Sequence, residues 1–255
     1  PYSNSAFDIV CKNDKVYMII GGKDLLNGKR FDKGGYILTY DYDKWSFIDP
    51  KEAQKKLNLP RNPRDYTSIA VTTDDSNDEI VYASSMGDGV IQYKNGTPVQ
   101  SYNEKNAFKE TAGGYGSGYC YIDGLAFDKN GNLWMTSSEV NHAVLVLDKA
   151  GAWHRLDIEQ LRGVYTINDI LITSTNDKWI YVPRNTPKPV MIPNSESLDE
   201  VSSYEFTTLI DTDGKELTPS NYTCVAEDKD GYIWVGTNRG AVYFTKPRIS
   251  STEDK

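Results

Sequence analysis

One repeated unit constrains this chain more than any other feature. In the stretch 222–244, YTCVAEDKDGYIWVGTNRGAVYF, an apolar run at Cys224-Val225-Ala226 leads into a polar turn, Asp228-Lys229-Asp230-Gly231. A run ending in Ile233-Trp234-Val235 follows, then a turn through Asn238-Arg239-Gly240 and a third run to Phe244, which together read as an antiparallel meander. The unit recurs. In GLAFDKNGNLWMTSS (124–138) Trp134 lies nine residues after Leu125, as Trp234 lies nine after Val225, and in DILITSTNDKWIYVPR (169–184) Trp179 lies nine after Ile170. SIAVTTDDSNDEIVYASS (68–85) puts Tyr82 in the tryptophan place with its turn stretched by four residues, and FDIVCKNDKVYMIIGG (7–22) is a weaker first copy with Tyr17. From Tyr17 through Tyr82, Trp134 and Trp179 to Trp234 the intervals are 65, 52, 45 and 55 residues, which suits four-stranded blades joined by variable loops. Self-similarity at such a period predicts an all-β repeat architecture, a β-propeller with five recognisable blades over about 7–49, 65–103, 121–157, 166–211 and 222–247.

Composition agrees with strands and tight turns: 18 tyrosines, with Gly and Asp gathered at the turns. The balance of 28 basic against 36 acidic residues, net −8, with no basic block longer than two, excludes nucleic acid as an expected partner. No apolar run reaches the roughly 18 residues of a membrane-spanning helix. The chain starts at Pro1 without a Met or a leader and reads as a portion of a longer polypeptide. Cys11, Cys120 and Cys224 are odd in number and lack C-x-x-C spacing, so neither a zinc site nor a disulfide framework is expected; Cys11 and Cys224 are expected as buried free thiols in inner strands.

Local signals complete the reading. Asp49-Pro50 before KEAQKKL predicts the one convincing helix, capped by Asp49, and Asn95-Gly96 and Asp213-Gly214 predict hairpin turns. VPRNTPKPVMIPN is expected to be a loop or an edge strand, because proline cannot donate to a ladder. The GGxGxG pattern of 113–118 neither closes a strand nor opens a helix, so a connector explains it better than phosphate binding. The turn Asp128-Lys129-Asn130-Gly131-Asn132 alternates oxygen side chains as calcium loops do. Its glycine is fourth rather than sixth and no glutamate closes it, which favours a β-turn, as at Asp228–Gly231. Neither His142 nor His154 has a carboxylate or cysteine partner indicated by spacing, and both are expected to be solvated. A ligand, if one binds, would meet an aromatic and polar loop face, for which Tyr115, Tyr119, Tyr121 and Asp123, with Arg184 and Asn185, are the candidates; inter-blade packing is the competing role for the tyrosines.

CVAEDKDGYIWVGTNRGAVYF resembles the propeller repeat of two-component regulators in Bacteroidetes. The order RDYTSIAV…YASSMGDGVIQYKNG, GLAFDKNGNLWMTSS, KAGAWHRL and the Trp234 repeat is similar to PorZ-type proteins of the type IX secretion machinery, over most of the chain from about Trp45. That resemblance implies a periplasmic or cell-surface propeller that binds other secretion components and lipopolysaccharide or another glycan, without catalysis, cofactor or metal. The residues it implies are structural: Asp128, Gly131, Trp134, Asp228, Gly231, Trp234, Gly236, Thr237 and Gly240, the tryptophans packing between blades, with Trp179 in the same place of its own repeat. The first repeat lacks the Asp-Gly turn and the Trp, and five repeats fall short of the usual seven blades, which points to a slice of a larger ring. The same repeats suit the extracellular sensing part of a hybrid histidine kinase. GLAFDKNGNLWMTSS also resembles the repeat of streptogramin-type lyases, where His142 would be the acid/base candidate.

Overall fold

A computed structural model describes residues 5–24, 27–108, 118–206, 209–210 and 213–244. Each repeat folds as an antiparallel meander. The first sheet is β1 (Ala6–Lys12), β2 (Lys15–Ile20), β3 (Ile37–Asp41) and β4 (Lys44–Ile48). The second is β5 (Tyr66–Thr73), β6 (Glu79–Gly87), β7 (Gly89–Lys94) and β8 (Thr97–Tyr102), and the third is β9 (Cys120–Phe127), β10 (Leu133–Ser137), β11 (Val144–Leu147) and β12 (Trp153–Leu156). A short ladder, Met86 opposite Tyr121 and Gly87 opposite Cys120, joins these two sheets. The fourth sheet is β13 (Ile170–Ile172), β14 (Lys178–Val182), β15 (Lys188–Ile192) and β16 (Tyr204–Glu205). A small hairpin, β17 (Leu209–Ile210) with β18 (Glu216–Leu217), precedes the last sheet, β19 (Tyr222–Glu227), β20 (Ile233–Thr237) and β21 (Gly240–Phe244).

The aromatic of each repeat sits opposite the first strand of its own sheet: Tyr17 faces Val10, Tyr82 faces Ala70, Trp134 faces Ala126, Trp179 faces Leu171 and Trp234 faces Ala226. The face bearing it packs onto the following sheet. Tyr17 and Ile19 meet Ile69 and Val81, and Tyr82 meets Ile122 and Leu133. Trp134 meets Ile180 and Val190, and Trp179 meets Tyr222 and Val235. Trp134 and Trp179 are 1% exposed. Trp234 departs from the expected inter-blade packing: it is 41% exposed, with Tyr243 as its ring neighbour at 5.1 Å, because no described sheet lies on its face.

The repeat spacing has a hydrogen-bond cause. Asp128 Oδ1 accepts from the amides of Asn130 and Asn132, both at 2.9 Å, and its Oδ2 accepts from Asn132 Nδ2 and Trp134 Nε1, also at 2.9 Å. One carboxylate thus closes the turn and satisfies the buried indole, which accounts for the oxygen-rich turn as a β-turn. Asp228 repeats the arrangement with the amides of Asp230 and Tyr232 and with Trp234 Nε1 at 2.6 Å. Gly131 and Gly231 take φ of 85° and 80°, a conformation an L side chain resists. In the G-T-x-x-G segment, Thr237 Oγ1 donates to Gly240 O and accepts from the Arg239 amide, while a Cβ on Gly236 would lie 2.7 Å from Cys224 Sγ. The fourth sheet has Thr173 where the third and the last have Asp128 and Asp228. Its hydroxyl accepts from the Asp177 amide, but Trp179 Nε1 is buried without an acceptor.

The helix forms over Pro50–Leu57 with Asp49 accepting from the Lys51 amide, and Asn95-Gly96 adopts φ of 49° and 74°, as a type I′ hairpin requires. Several expectations need correction. Pro189 lies in β15, an interior strand. It is tolerated because its carbonyl, and hence the side its missing N–H would face, points to Phe206, just past the end of the two-residue β16. Cys11 and Cys224 are exposed rather than buried, and Cys120 is the buried thiol, pushed up to about 12 by burial. His154 is not simply solvated: Nε2 is 3.0 Å from Asp148 and Nδ1 2.8 Å from Asp199, and these two hydrogen bonds raise its pKa. The repeat spacing could not show Asp199, which lies on the connection before β16. His142 lies near Asp157, whose pKa is lowered chiefly by its hydrogen bond to Arg162 and only in small part by His142.

If the Asp-to-indole bond is what the repeat preserves, Thr173→Asp should stabilise the protein by about 1 kcal/mol and Asp128→Thr should destabilise it by at least as much. Urea denaturation of both variants checks this, and a Thr173→Asp chain no more stable than the parent would contradict it.

Candidate functional site

Antiparallel meanders place all the innermost-strand starts, the β2–β3 type connections and the inter-sheet connections at one end of the molecule. The innermost strands also bulge near this end. Register shifts occur between Ala6 and Asp8, between Tyr66 and Ser68 and between Tyr222 and Cys224, and on β9 beside the break between Met135 and Ser137. Bulges re-aim side chains. On β9 the irregular pair is Asp123-Gly124, and Gly124 is obligatory there, since a Cβ would lie 2.8 Å from Asp169 Cα.

Asp123 is 4% exposed. It accepts from Lys23 Nζ in a short ion pair and from Ser138 Oγ at 2.5 Å, and Ser138 Oγ in turn accepts from the Ile167 amide at 2.8 Å. Lys23 belongs to the β2–β3 connection of the first sheet, a hundred residues earlier. It is 3% exposed, donates to Ile167 O and lies 5.0 Å from the centroid of the Tyr121 ring. The strap therefore crosses from the first sheet to the third and the start of the fourth. Further along it, Gly28 leaves no room beside Arg184, whose Nη2 donates to Thr166 Oγ1 at 3.3 Å. Arg30 Nε donates to the buried Asp65 at 3.2 Å, and Arg30 also lies against Tyr119.

The sequence candidates thus fall at one end but take different roles. Tyr119 and Tyr121 pack edge to face at 6.4 Å around Met86, 7% and 2% exposed. Asp123 is neutralised by Lys23. Arg184 is half-buried under the strap and Asn185 is exposed, with φ of 55°. Tyr115 lies outside the described residues. Sequence reading missed Lys23, Glu139, Asp8 and Asp169. Burial, and then the charge of Asp123, raises the pKa of Glu139, whose Oε1 is buried without a hydrogen bond. Asp169 is ringed by protein yet open to the space between the innermost strands, and enclosure, then the charge of Asp8, raises its pKa. The only available signal was that Asp8, Asp123 and Asp169 all fall near innermost-strand starts. Nearby, a cleft of about 300 Å³ opens between Leu59, Arg61, Asp88, Glu104, Lys105 and Gly118, with Arg61 Nη2 2.7 Å from Asp88.

A carboxyl whose pKa is higher in the folded than in the unfolded chain favours folding when protonated. Its contribution is complete below the unfolded value near 3.8 and is lost as pH rises through the folded value. Asp169→Asn retains the oxygen that accepts from the Ile170 amide at 2.9 Å. It should make the protein more stable at pH 8 than the parent, by about 1 kcal/mol given screening in the open space, with the advantage vanishing near pH 4. Denaturation at the two pH values checks this.

A family model described as two component regulator propeller matches residues 216–239. No curated protein matches the sequence. Among solved structures the chain resembles PorZ of Porphyromonas gingivalis, described as an essential bacterial surface component of the type-IX secretion system, at a TM-score of 0.79 and 19% identity over 95% of this chain and 33% of PorZ. It also resembles the extracellular domain of the putative hybrid two component system BT4673 of B. thetaiotaomicron, at 0.57 and 12% over 92% of this chain and 26% of that one. A putative 6-phosphogluconolactonase of Bacteroides uniformis gives 0.55 and 12% over 96% and 68%. The chain thus spans about a third of PorZ and a quarter of the BT4673 domain. It has the β-propeller fold these relatives share and carries a repeat of the two-component-regulator type in its last described sheets.

Proposed function

We propose that the chain is a non-catalytic propeller segment, working outside the cytoplasm, that binds a partner protein or a surface glycan such as lipopolysaccharide, as a component of a secretion assembly. The observation that carries the reading is the strap: Lys23 pairs with Asp123 and is itself buried against Tyr121, so the Asp123 side of the convergence point is occupied by protein. Binding is left to the rim, where the Arg61–Asp88 cleft offers charged and amide groups and Asn185 stands exposed. The likeness to PorZ, a surface component, and to a two-component ectodomain supports a place outside the cytoplasm, and a sensing role in a hybrid kinase uses the same rim. No helix among the described residues is long and apolar enough to cross a membrane.

One observation favours a second reading, an enzyme. Asp169 is an accessible carboxyl with a raised pKa, as a general acid needs, and one structural neighbour is described as a putative lactonase. Acid/base chemistry ordinarily needs a second group in reach, and among the described residues Asp169 hydrogen-bonds only to the Ile170 amide.

The readings separate in one experiment on producing cells and purified protein. The binding reading expects cleavage by protease added outside intact or outer-membrane-permeabilised cells, no turnover of sugar lactones, and lipopolysaccharide binding weakened about tenfold by Arg61→Glu (about 1.4 kcal/mol). Protection from external protease, or lactone turnover abolished by Asp169→Asn, would contradict it.

A further inference from the structure

The opposite end, where the β1–β2, β3–β4, β5–β6 and β7–β8 turns lie, holds a larger cleft of about 470 Å³ between the first and second sheets. That volume is within the ordinary range for a small-ligand site. Its lining includes the aliphatic Ile48 and a part-buried ionic seam, Glu79 Oε2 accepting from Tyr17 Oη at 2.6 Å and from Lys15 Nζ at 3.1 Å. Lys15 is also 3.5 Å from Asp41. The charges are thus spent on one another: Glu79 already has an ammonium and a phenol, and Lys15 already has two carboxylates.

The rest of the lining is uncharged and hydrogen-bonding. Asn95 is fixed, its Oδ1 accepting from the Glu79 amide and its Nδ2 donating to Asp78. The amides of Asn13 and Asn77 and the hydroxyl of Thr73 border the same cleft without a side-chain partner among the described residues. Both asparagines occupy left-handed backbone, at φ of 52° and 62°, so the turns set the backbone positions from which their side chains border the cleft. Unpartnered amides and a hydroxyl beside one aliphatic side chain match a ligand with many neutral hydroxyls and a C–H face. An anionic ligand would meet Glu79 and Asp41 in a chain of net charge −8, and a cation finds no unpaired carboxylate on the wall.

We infer that this cleft between the first two sheets is a binding site for a neutral oligosaccharide. The inference deepens the reading of the chain as a binding propeller but does not use the Arg61 cleft at the other end.

The test uses the whole chain on an array of neutral, uronic-acid and sulfated oligosaccharides, with affinities of retained members measured by calorimetry. Asn13→Gly with Asn77→Gly removes both amides while keeping the left-handed backbone accessible. Thr73→Val, nearly isosteric, serves as an independent variant should the double change lower the melting temperature. The expected result is retention of neutral members, weakened at least about tenfold by the double variant and measurably by Thr73→Val, and unchanged by Arg61→Glu. Retention of acidic members alone, no retention of neutral ones, or neutral binding indifferent to both hairpin-end changes would overturn the inference. Neutral binding lost only with Arg61→Glu would refute this site and leave the rim reading intact. Failure to bind either an oligosaccharide or lipopolysaccharide would remove both.

Discussion

Bringing the first strands of successive sheets together at one place is the constraint from which the rest of this structure follows. Converging strands cannot all present large side chains, so a glycine, Gly124, stands where a Cβ would meet Asp169, and bulges turn neighbouring residues out of register. The same convergence assembles Asp8, Asp123 and Asp169; desolvation raises the pKa of each, and at Asp169 the charges of Asp8 and Asp123 add to it. A cation is needed there, and the first sheet supplies it from a distance. The 21–36 connection runs across the strand starts so that Lys23 reaches Asp123, Ile167 and the face of Tyr121. A buried pair of this kind is weak evidence for stability, because desolvation opposes the Coulomb gain, but removing one partner strands the other. Its role here is to fix the path of the strap, which fixes what the loop-bearing end can expose.

Away from the convergence point, the sheets are held by a different rule. Each carries an aromatic opposite its first strand, and the face with that residue is covered by the following sheet. The turn aspartate supports this by accepting from the indole, so a polar N–H can be buried within an apolar interface. Where the aspartate is replaced, at Thr173, the ring remains buried against Phe206 and Phe244 and the N–H loses its acceptor. Where the covering sheet is absent among the described residues, at Trp234, the bond to Asp228 persists and the ring is left partly in solvent. The turn bond is therefore local to each meander, while burial of the ring depends on the next.

This division explains how much could be read from the sequence. The repeat, the turns, the helix cap and the propeller fold were legible because each is decided within about twenty consecutive residues, and the nine-residue spacing to Trp134 or Trp234 records one hydrogen-bonded turn. The end at which Tyr119, Tyr121, Asp123 and Arg184 gather was legible too, since strand order fixes the ends of a meander. The roles of these residues were not, because Lys23, the cation paired with Asp123, is a hundred positions away in a connection without a motif. His154 illustrates the same limit: one of its two carboxylates, Asp199, comes from a separate, acidic connection. Pro189 failed for the opposite reason, since a sound local rule was evaded by a neighbouring strand only two residues long.

The central claim, that the first sheet's strap is tied to the innermost strands through Lys23 and Asp123, is tested most directly by a double-mutant cycle. Unfolding free energies of the parent, Lys23→Met, Asp123→Asn and the double variant give the coupling between two residues a hundred positions apart. The account expects a coupling of about 2 kcal/mol or more, with the double variant more stable than additivity of the two single losses allows. A coupling near zero would mean that the strap does not reach Asp123 and that this carboxylate is left without its cation.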